Sequence, residues 1–280
     1  MSKKINIQKI MFFIMVMIGA CIVMYPLLWM LSSSFKPNYY IFKEMGLWPK
    51  RFTLENYQIG WQGVGAISFG NNFKNSFIIV IFVVLGNLMS CSLAAYAFAR
   101  LQFSFKKIFF AMMLGTVMLP VHVTLIPRYI IFDSLGWINS FLPLIVPSFL
   151  ATQSFFIFLM VQFMRGLPPE LDDAAIVDGC GPFQIYLRVI LPLSLPALVT
   201  TALFTFIWTW NDFLSQLIYL SKPKMYTVAL GLRAFNDATG ESAFGQLFAM
   251  SILSLIPIFI LFVFFQRLLI EGISTTGLKG

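Results

Sequence analysis

Charge, histidine and cysteine are all scarce in this sequence. Only 11% of the 280 residues are charged and 59% are hydrophobic, whereas soluble domains average about 25% charged residues. This composition excludes an ordinary soluble protein and indicates an integral membrane protein. The single histidine, His122, and the widely spaced Cys21, Cys91 and Cys180 provide no metal-ligand cluster and no disulfide framework. We therefore predict no metal site.

Motifs for nucleotide binding and catalysis are also missing. The 18 glycines include no GxxxxGK[ST] loop, the pattern whose backbone amides cradle ATP phosphates. The sequence has no serine elbow, no HExxH helix and no pair of carboxylates within one apolar run, so it offers no recognisable acid–base or nucleophilic site. We predict that the chain is not an enzyme, has no catalytic residues and holds no cofactor.

Six apolar runs are long enough to cross a hydrocarbon layer, which takes about 20 helical residues. They are Ile10–Leu31, Phe77–Ala99, Ile108–Ile131, Phe141–Met164, Leu195–Leu220 and Leu247–Ile270. The net charge of +8 includes no cluster suited to nucleic acid, and the basic turn Arg100–Lys107 belongs in the cytoplasm by the positive-inside rule. We expect an all-α protein with six transmembrane helices and both termini cytoplasmic. The segments Ser32–Asn75 and Ser221–Gln246 are then external.

Polar residues and prolines interrupt the second and third runs. Asn87, Ser90 and Ser92 are predicted to bond to neighbouring helices rather than to face lipid. Pro120 and Pro127 predict that the outer third of the third run kinks or unwinds.

The fifth run contains Asp212, the one acidic residue well inside an apolar run. Carboxylates at membrane depth are costly and commonly face a cavity or a partner. Asp212 also lies eight residues from the outer end of the run, which is about 12 Å along a helix, so pairing with a polar group near the interface explains it equally well.

The longest polar interruption in the second half of the chain is Leu167–Pro196. Pro168 and Pro169 suit the start of a helix, and the acidic residues that follow complement its dipole. Gly179 and Gly181 end that helix, and Pro182 starts another. Ala175 and Gly179, four residues apart, leave one helix face nearly bare. Composition alone is also compatible with an ordinary solvated connection.

This stretch resembles the EAA loop of bacterial ABC importer permeases. Asp173-Ala174-Ala175 corresponds to EAA, Asp178-Gly179 to the DG that follows, and Val189-Ile190-Leu191-Pro192 to IxLP. The pattern aligns without gaps. Asp173 replaces the usual Glu, Cys180 a usual Ala, and Val189 a usual Ile.

Other stretches are similar to the MalG-like subunit of the carbohydrate branch of this family. They are the proline-broken third run, Trp210-Asn211-Asp212-Phe213, and the end of the chain from Phe265 to Gly280. The resemblance covers most of the chain after about residue 70. It implies one transmembrane permease domain over residues 1–280, with a family core at about 70–280 and a coupling loop at 165–196.

The resemblance implies half of the pathway of a sugar or oligosaccharide importer in a bacterial plasma membrane. Its expected partners are a MalF-like permease, two copies of a cytoplasmic ATPase that carry ATP and Mg²⁺, an extracytoplasmic binding protein and membrane lipid. It assigns three groups of residues. The ATPase-coupling loop uses Glu170, Asp173, Ala174, Ala175, Asp178, Gly179, Leu191 and Pro192, an ATPase-contacting tail uses Gly277, Lys279 and Gly280, and the translocation pathway uses Asn211 and Asp212.

Three alternatives remain open from the sequence. One is a secondary transporter driven by an ion gradient through Asp212 and His122. Another is an ABC permease for an amino acid, phosphate or metal, which shares the loop but generally lacks the Trp210–Phe213 pattern. The third is a membrane enzyme with unrecognised chemistry.

Overall fold

Helices are the main secondary structure in the part of the protein that the structure describes. The computed structural model describes residues 7–65, 67–237 and 243–277, which contain no β-strand beyond an isolated bridge between Val64 and Ile67. The helices are α1 (Ile7–Ser34), α2 (Glu55–Gln62), α3 (Phe69–Arg100), α4 (Lys106–Val117), α5 (Val121–Ser134), α6 (Leu142–Ile145), α7 (Ser154–Arg165), α8 (Glu170–Val177), α9 (Pro182–Ile185), α10 (Leu191–Leu193), α11 (Leu195–Trp210), α12 (Leu214–Tyr219), α13 (Val228–Asp237) and α14 (Phe244–Gly277). Short 3₁₀ segments cover Asn38–Tyr40, Val146–Leu150 and Pro223–Met225, and a π-helical turn covers Tyr186–Ile190.

Several helical segments have the length and composition of membrane spans. Four of them qualify singly, namely Met11–Ser34, Phe69–Arg100, Leu142–Arg165 and Phe244–Gln266. Two bent pairs, α4 with α5 and α9–α10 with α11, raise the number to six if each pair is one span. The prediction of an all-α polytopic membrane protein is confirmed, and the count of six spans stays a prediction.

Two predicted runs are interrupted. The third run breaks between Val117 and Val121 with a bend of 104°. The predicted Pro120 lies in this break, as the N-cap of α5, whereas the predicted Pro127 lies inside α5. The fifth run ends at Trp210, so Asp212 occupies a turn and not a continuous helix. The hydrophobic pattern predicts the length of an apolar run. It does not predict the hydrogen bonds that end a helix within that run.

The chain forms two compact units. The first contains residues 1–70 and 231–256. Asn56 stabilises the end of α1 in this unit, since its Nδ2 donates to the carbonyls of Ser34 (2.8 Å) and Lys36 (2.7 Å). The buried Lys36 ammonium donates to the carbonyls of Glu44 and Gly46. Burial lowers the pKa of Lys36, and the Glu44 carboxylate opposes that shift.

The second unit contains residues 71–230 and 257–280. Its buried core joins α3 and α7 to the segment 165–196, through Cys91, Ala95, Tyr96, Phe156, Ile157, Met160, Val161, Met164, Ala175, Ile185, Tyr186, Ile190 and Ala197. The segment that resembles a coupling loop is therefore part of the core of this unit and not a loose connection.

Polar side chains of α3 bond to neighbouring helices, as the sequence analysis predicted. Asn87 Nδ2 donates to Thr205 Oγ1 at 3.3 Å, and Ser90 Oγ donates to the carbonyl of Ser148 at 2.6 Å. Ser92 Oγ lies 2.7 Å from the Tyr186 hydroxyl. These bonds satisfy groups that are costly to leave exposed to lipid.

Candidate functional site

The segment 165–196, hereafter called the coupling loop after the motif that it resembles, is a helix, a tight turn and a second helix, as predicted. Helix α8 ends at Val177, and Gly179 follows with a left-handed φ of +78°. The amide of Cys180 donates to the carbonyl of Ala175 (2.9 Å) and the amide of Gly179 to that of Ile176 (2.9 Å). This pair of bonds is a Schellman motif, in which glycine adopts the left-handed conformation at little cost.

The second helix begins at Pro182, with Gly181 as its N-cap. The amide of Gly181 donates to Gln184 Oε1 at 3.1 Å. The two glycines thus have different roles: Gly179 ends the first helix by its backbone conformation, and Gly181 starts the second.

Ala175 and Gly179 do not share an exposed face. Ala175 is only 7% exposed and packs in the core, whereas Gly179 is exposed. Residues four apart face the same way only while the helix continues, and the left-handed turn carries Gly179 away from that face.

Three polar side chains of α3 bind the coupling loop. Besides the Ser92–Tyr186 contact, the Tyr96 hydroxyl donates to the carbonyl of Pro182 at 2.9 Å. Arg100 Nη1 lies 3.1 Å from Asp172 Oδ2, and its Nη2 donates to the carbonyl of Leu167 at 2.8 Å. We call Ser92, Tyr96 and Arg100 the α3 ladder.

The ladder residues are spaced at i, i+4 and i+8, so they lie on one face of α3. They reach the start of α8, the start of α9 and the π-helical turn that follows α9. Sequence analysis identified Ser92 but missed Tyr96 and Arg100. The regular four-residue spacing of polar groups was the available signal.

The outward surface of the coupling loop is both acidic and apolar. Glu170, Asp173, Ala174, Asp178 and Gly179 are exposed, as is Pro192, whereas Leu191 is half-buried against the core. The sequence analysis did not assign three large exposed apolar side chains, which are Ile176 (60% exposed), Val177 (86%) and Phe183 (62%). Exposed apolar groups in a polar surround are typical of protein interfaces.

Asn211 and Asp212 lie in the turn between α11 and α12. Asn211 Nδ2 donates to the carbonyl of Ile207 (2.9 Å), and Asp212 Oδ1 accepts from the amide of Ser215 (3.1 Å). These bonds cap the end of one helix and the start of the next. Their local role explains why the run breaks here.

The predicted tail lies mostly beyond the described structure. Gly277 is the last residue of α14, and Lys279 and Gly280 fall outside the described residues. Within the described ranges, no group of three or more His, Cys, Asp and Glu side chains is placed to hold a metal ion.

The helices define a polytopic membrane protein, in which the segment 165–196 is packed against the end of α3. Residues 86–275 match the family described as "Binding-protein-dependent transport system inner membrane component". The chain belongs to this family.

Curated relatives cover almost the whole chain. It is 35% identical to the probable ABC transporter permease YurM of Bacillus subtilis over 91% of this chain and 84% of that protein. It is 32% identical to the trehalose/maltose transport system permease MalG of Thermococcus litoralis over 98% of each. The structure of a bacterial ABC transporter that imports alginate has a similar fold, with a TM-score of 0.83 at 20% identity, covering 95% of this chain and 98% of that one.

These findings confirm the predicted family. The chain is a multi-pass inner-membrane permease component of a binding-protein-dependent transport system. Such components are transporter subunits and not enzymes.

Proposed function

We propose that this chain forms half of the transmembrane pathway of an ATP-binding-cassette importer for a sugar or oligosaccharide. The observation that carries the proposal is the exposed face of α8, which holds the EAA-like residues on a helix anchored to the transmembrane core. The names of the relatives support the substrate class, because they include permeases for trehalose and maltose, arabinooligosaccharides and diacetylchitobiose.

ATP is hydrolysed on a separate ATPase subunit, which also holds the Mg²⁺. The carboxylates of Asp173 and Asp178 pair with cationic side chains of the ATPase. Ala174 and Gly179 permit a close approach, and Val177 fills an apolar cleft. Buried Ala175 contributes by fixing α8 to the core.

Helix α3 transmits the conformational change of the ATPase to the other side of the membrane. The helix has 32 residues, which extend about 48 Å at about 1.5 Å each. The α3 ladder binds the coupling loop at one end. At the other end Asn75 Nδ2 donates to the carbonyls of Lys224 (3.0 Å) and Tyr226 (2.9 Å), and Ser76 Oγ accepts from the amide of Val228 (2.9 Å).

The coupling loop and both termini are cytoplasmic, and each bent helix pair counts as one of six spans. The assembly contains a second permease subunit, two ATPase copies and an extracytoplasmic binding protein. The tail with Gly277, Lys279 and Gly280 contacts the ATPases. The turn between α11 and α12 lines the pathway. Asn211 and Asp212 contribute by capping this turn with their side chains.

Substitution of Val177 tests the docking surface. Because this side chain is 86% exposed, V177D leaves folding intact and puts a desolvated charge into the interface. We expect affinity for the ATPase to fall at least tenfold, measured by co-purification and by ATP-dependent uptake in vesicles, with an unchanged melting temperature. V177I is the matched control and retains binding.

Two outcomes contradict the proposal. One is equal ATPase binding by V177D and wild type. The other is substrate uptake by vesicles that contain this chain but no ATPase, which favours a secondary transporter. The ligand carried by the associated binding protein distinguishes a sugar importer from one for another solute.

A further inference from the structure

A cavity with a basic rim lies beside the coupling loop, between the turn after α3 and the end of α7. Its volume is about 750 Å³. Its lining includes three cations and three aromatic rings, which are Lys106, Lys107, Arg165, Phe103, Phe105 and Phe110. The coupling mechanism uses none of these side chains.

None of these three cations pairs with a carboxylate of the described ranges. Lys106 Nζ donates to the carbonyl of Leu101 at 2.6 Å. Arg165 Nη2 lies 3.4 Å from the carbonyl of Phe98, and its guanidinium carbon lies 5.0 Å from the centre of the Phe110 ring. Neutral acceptors position these groups without neutralising them, so the cavity retains its positive charge.

The first turn of α4 adds to this positive potential. The helix begins at Lys106, and the amides of a first turn have no partner within the helix. They carry the positive end of the helix dipole, which attracts anions and phosphate groups. The helix dipole therefore adds to the charge of Lys106 and Lys107, which line the cavity.

The lining of the cavity also contains apolar side chains that are open to the surroundings. Phe103 is 40% exposed, Phe105 68% and Ile108 55%. Helix α4 continues from here into one of the candidate spans. Cations beside exposed apolar side chains at the end of a candidate span match the polarity of the boundary between lipid headgroups and acyl chains.

We propose that this cavity binds an anionic phospholipid of the cytoplasmic leaflet. Lys106, Lys107 and Arg165 bind the headgroup phosphate, and the first acyl carbons pack on Phe103 and Phe110. The choice of leaflet depends on the proposed topology. Arg165 is the first residue of the coupling loop, so the bound lipid also supports the position where that loop begins.

Native mass spectrometry of the purified transporter complex in mixed phosphatidylglycerol and phosphatidylcholine tests the proposal. We expect wild type to retain phosphatidylglycerol preferentially. The variant K106Q/K107Q removes two cations, each of which affects binding appreciably near a charged lipid surface, and its retention is expected to fall about 10- to 30-fold. Inorganic phosphate at millimolar concentration does not displace the lipid, because it lacks the acyl chains.

Two control variants separate charge at this cavity from other effects. K222Q/K224Q removes the same charge from exposed lysines elsewhere in the second unit and is expected to retain the lipid. K106R/K107R changes the same two positions but conserves the charge, and it is expected to retain the lipid.

Any of three results overturns the proposal. K106Q/K107Q retains as much lipid as wild type, K222Q/K224Q or K106R/K107R loses as much lipid as K106Q/K107Q, or inorganic phosphate alone displaces the lipid. The readout is lipid retention and not uptake. Failure of sugar import therefore leaves this inference standing, and loss of lipid preference with intact import removes this inference alone.

Discussion

Gly179 shows how one backbone conformation shapes the proposed docking surface. Its φ of +78° closes the turn after α8, and a Cβ built on it meets no atom within 4 Å. The cost of an alanine at this position therefore comes from backbone strain, since there is space for its Cβ.

We expect G179A to destabilise the protein by about 1 kcal/mol because an L side chain disfavours the left-handed region. Thermal unfolding checks this as a melting temperature lowered by a few degrees. The matched control is G115A, since Gly115 lies within α4 and also has open space around its Cβ. G115A is expected to leave stability unchanged or raise it. Equal losses in both variants contradict the role of φ.

The Arg100–Asp172 pair is the residue-scale link between α3 and the coupling loop. Both side chains are largely buried, at 11% and 18% exposed. Arg100 Nε is buried and has no partner among the described atoms. The guanidinium therefore depends on Asp172 and on the carbonyl of Leu167.

We expect D172N to cost about 1–3 kcal/mol, because it leaves a partly buried cation without its counter-charge. The melting temperature falls by roughly 2–8 °C, and ATP hydrolysis by the complex becomes less dependent on the binding protein. The exposed Glu170 provides the control: E170Q leaves the melting temperature within about one degree. A D172N protein as stable as E170Q rules out a structural role for the pair.

At the scale of elements, α3 is the helix that touches both ends of the second unit. Its outer contacts come from amide side chains on successive turns, Asn71 and Asn75. Asn75 is buried and donates twice, whereas Asn71 is half-buried and donates one exposed bond, to the carbonyl of Lys224 at 2.8 Å.

We expect N75A to loosen the segment 224–228 by about 1–3 kcal/mol, because the carbonyl of Tyr226 loses its side-chain donor and the carbonyl of Lys224 loses one of two. Hydrogen exchange of that segment measures the loss, and stimulation of ATP hydrolysis by the binding protein falls with it. N71A removes the exposed bond and costs less than about 1 kcal/mol. Identical exchange in both variants argues against α3 as the connecting element.

At the scale of the whole molecule, Cys180 reports the orientation of the coupling loop. It is half-exposed, whereas Cys91 is buried and Cys21 lies in the apolar helix α1. An impermeant maleimide is expected to label Cys180 in inside-out vesicles and not in intact cells. Bound ATPase protects it, and C180A, which restores the usual family residue, abolishes the labelling. Labelling from outside intact cells would falsify the proposed topology.

Much of the local architecture was predictable because it depends on neighbours in the chain. The apolar runs predicted the long helices, and the prolines and glycines of residues 167–196 predicted two helices with a tight turn. Asn87, Ser90 and Ser92 predicted polar contacts between helices. Gapless matching of the EAA pattern predicted the family, which the comparisons confirmed.

What the sequence left open depends on residues that are distant in the chain. Packing and hydrogen bonds decide whether Ala175 faces solvent, which helix Arg100 contacts and where the fifth run ends. A hydrophobic pattern does not contain this information. Exposed Val177 looks like a core residue in sequence, since hydrophobicity does not distinguish burial in this chain from burial against a partner.

By itself, the sequence determined that this is a helical membrane protein of an importer-permease family, with no GxxxxGK[ST] pattern and with a stretch that resembles the EAA loop. Those properties follow from composition, run length and local helix signals. Only the tertiary structure placed the coupling loop on the α3 ladder, buried Ala175 and gathered Lys106, Lys107 and Arg165 around one cavity. Each of these arrangements arises because helices far apart in sequence pack together and determine which side chains remain available to a partner.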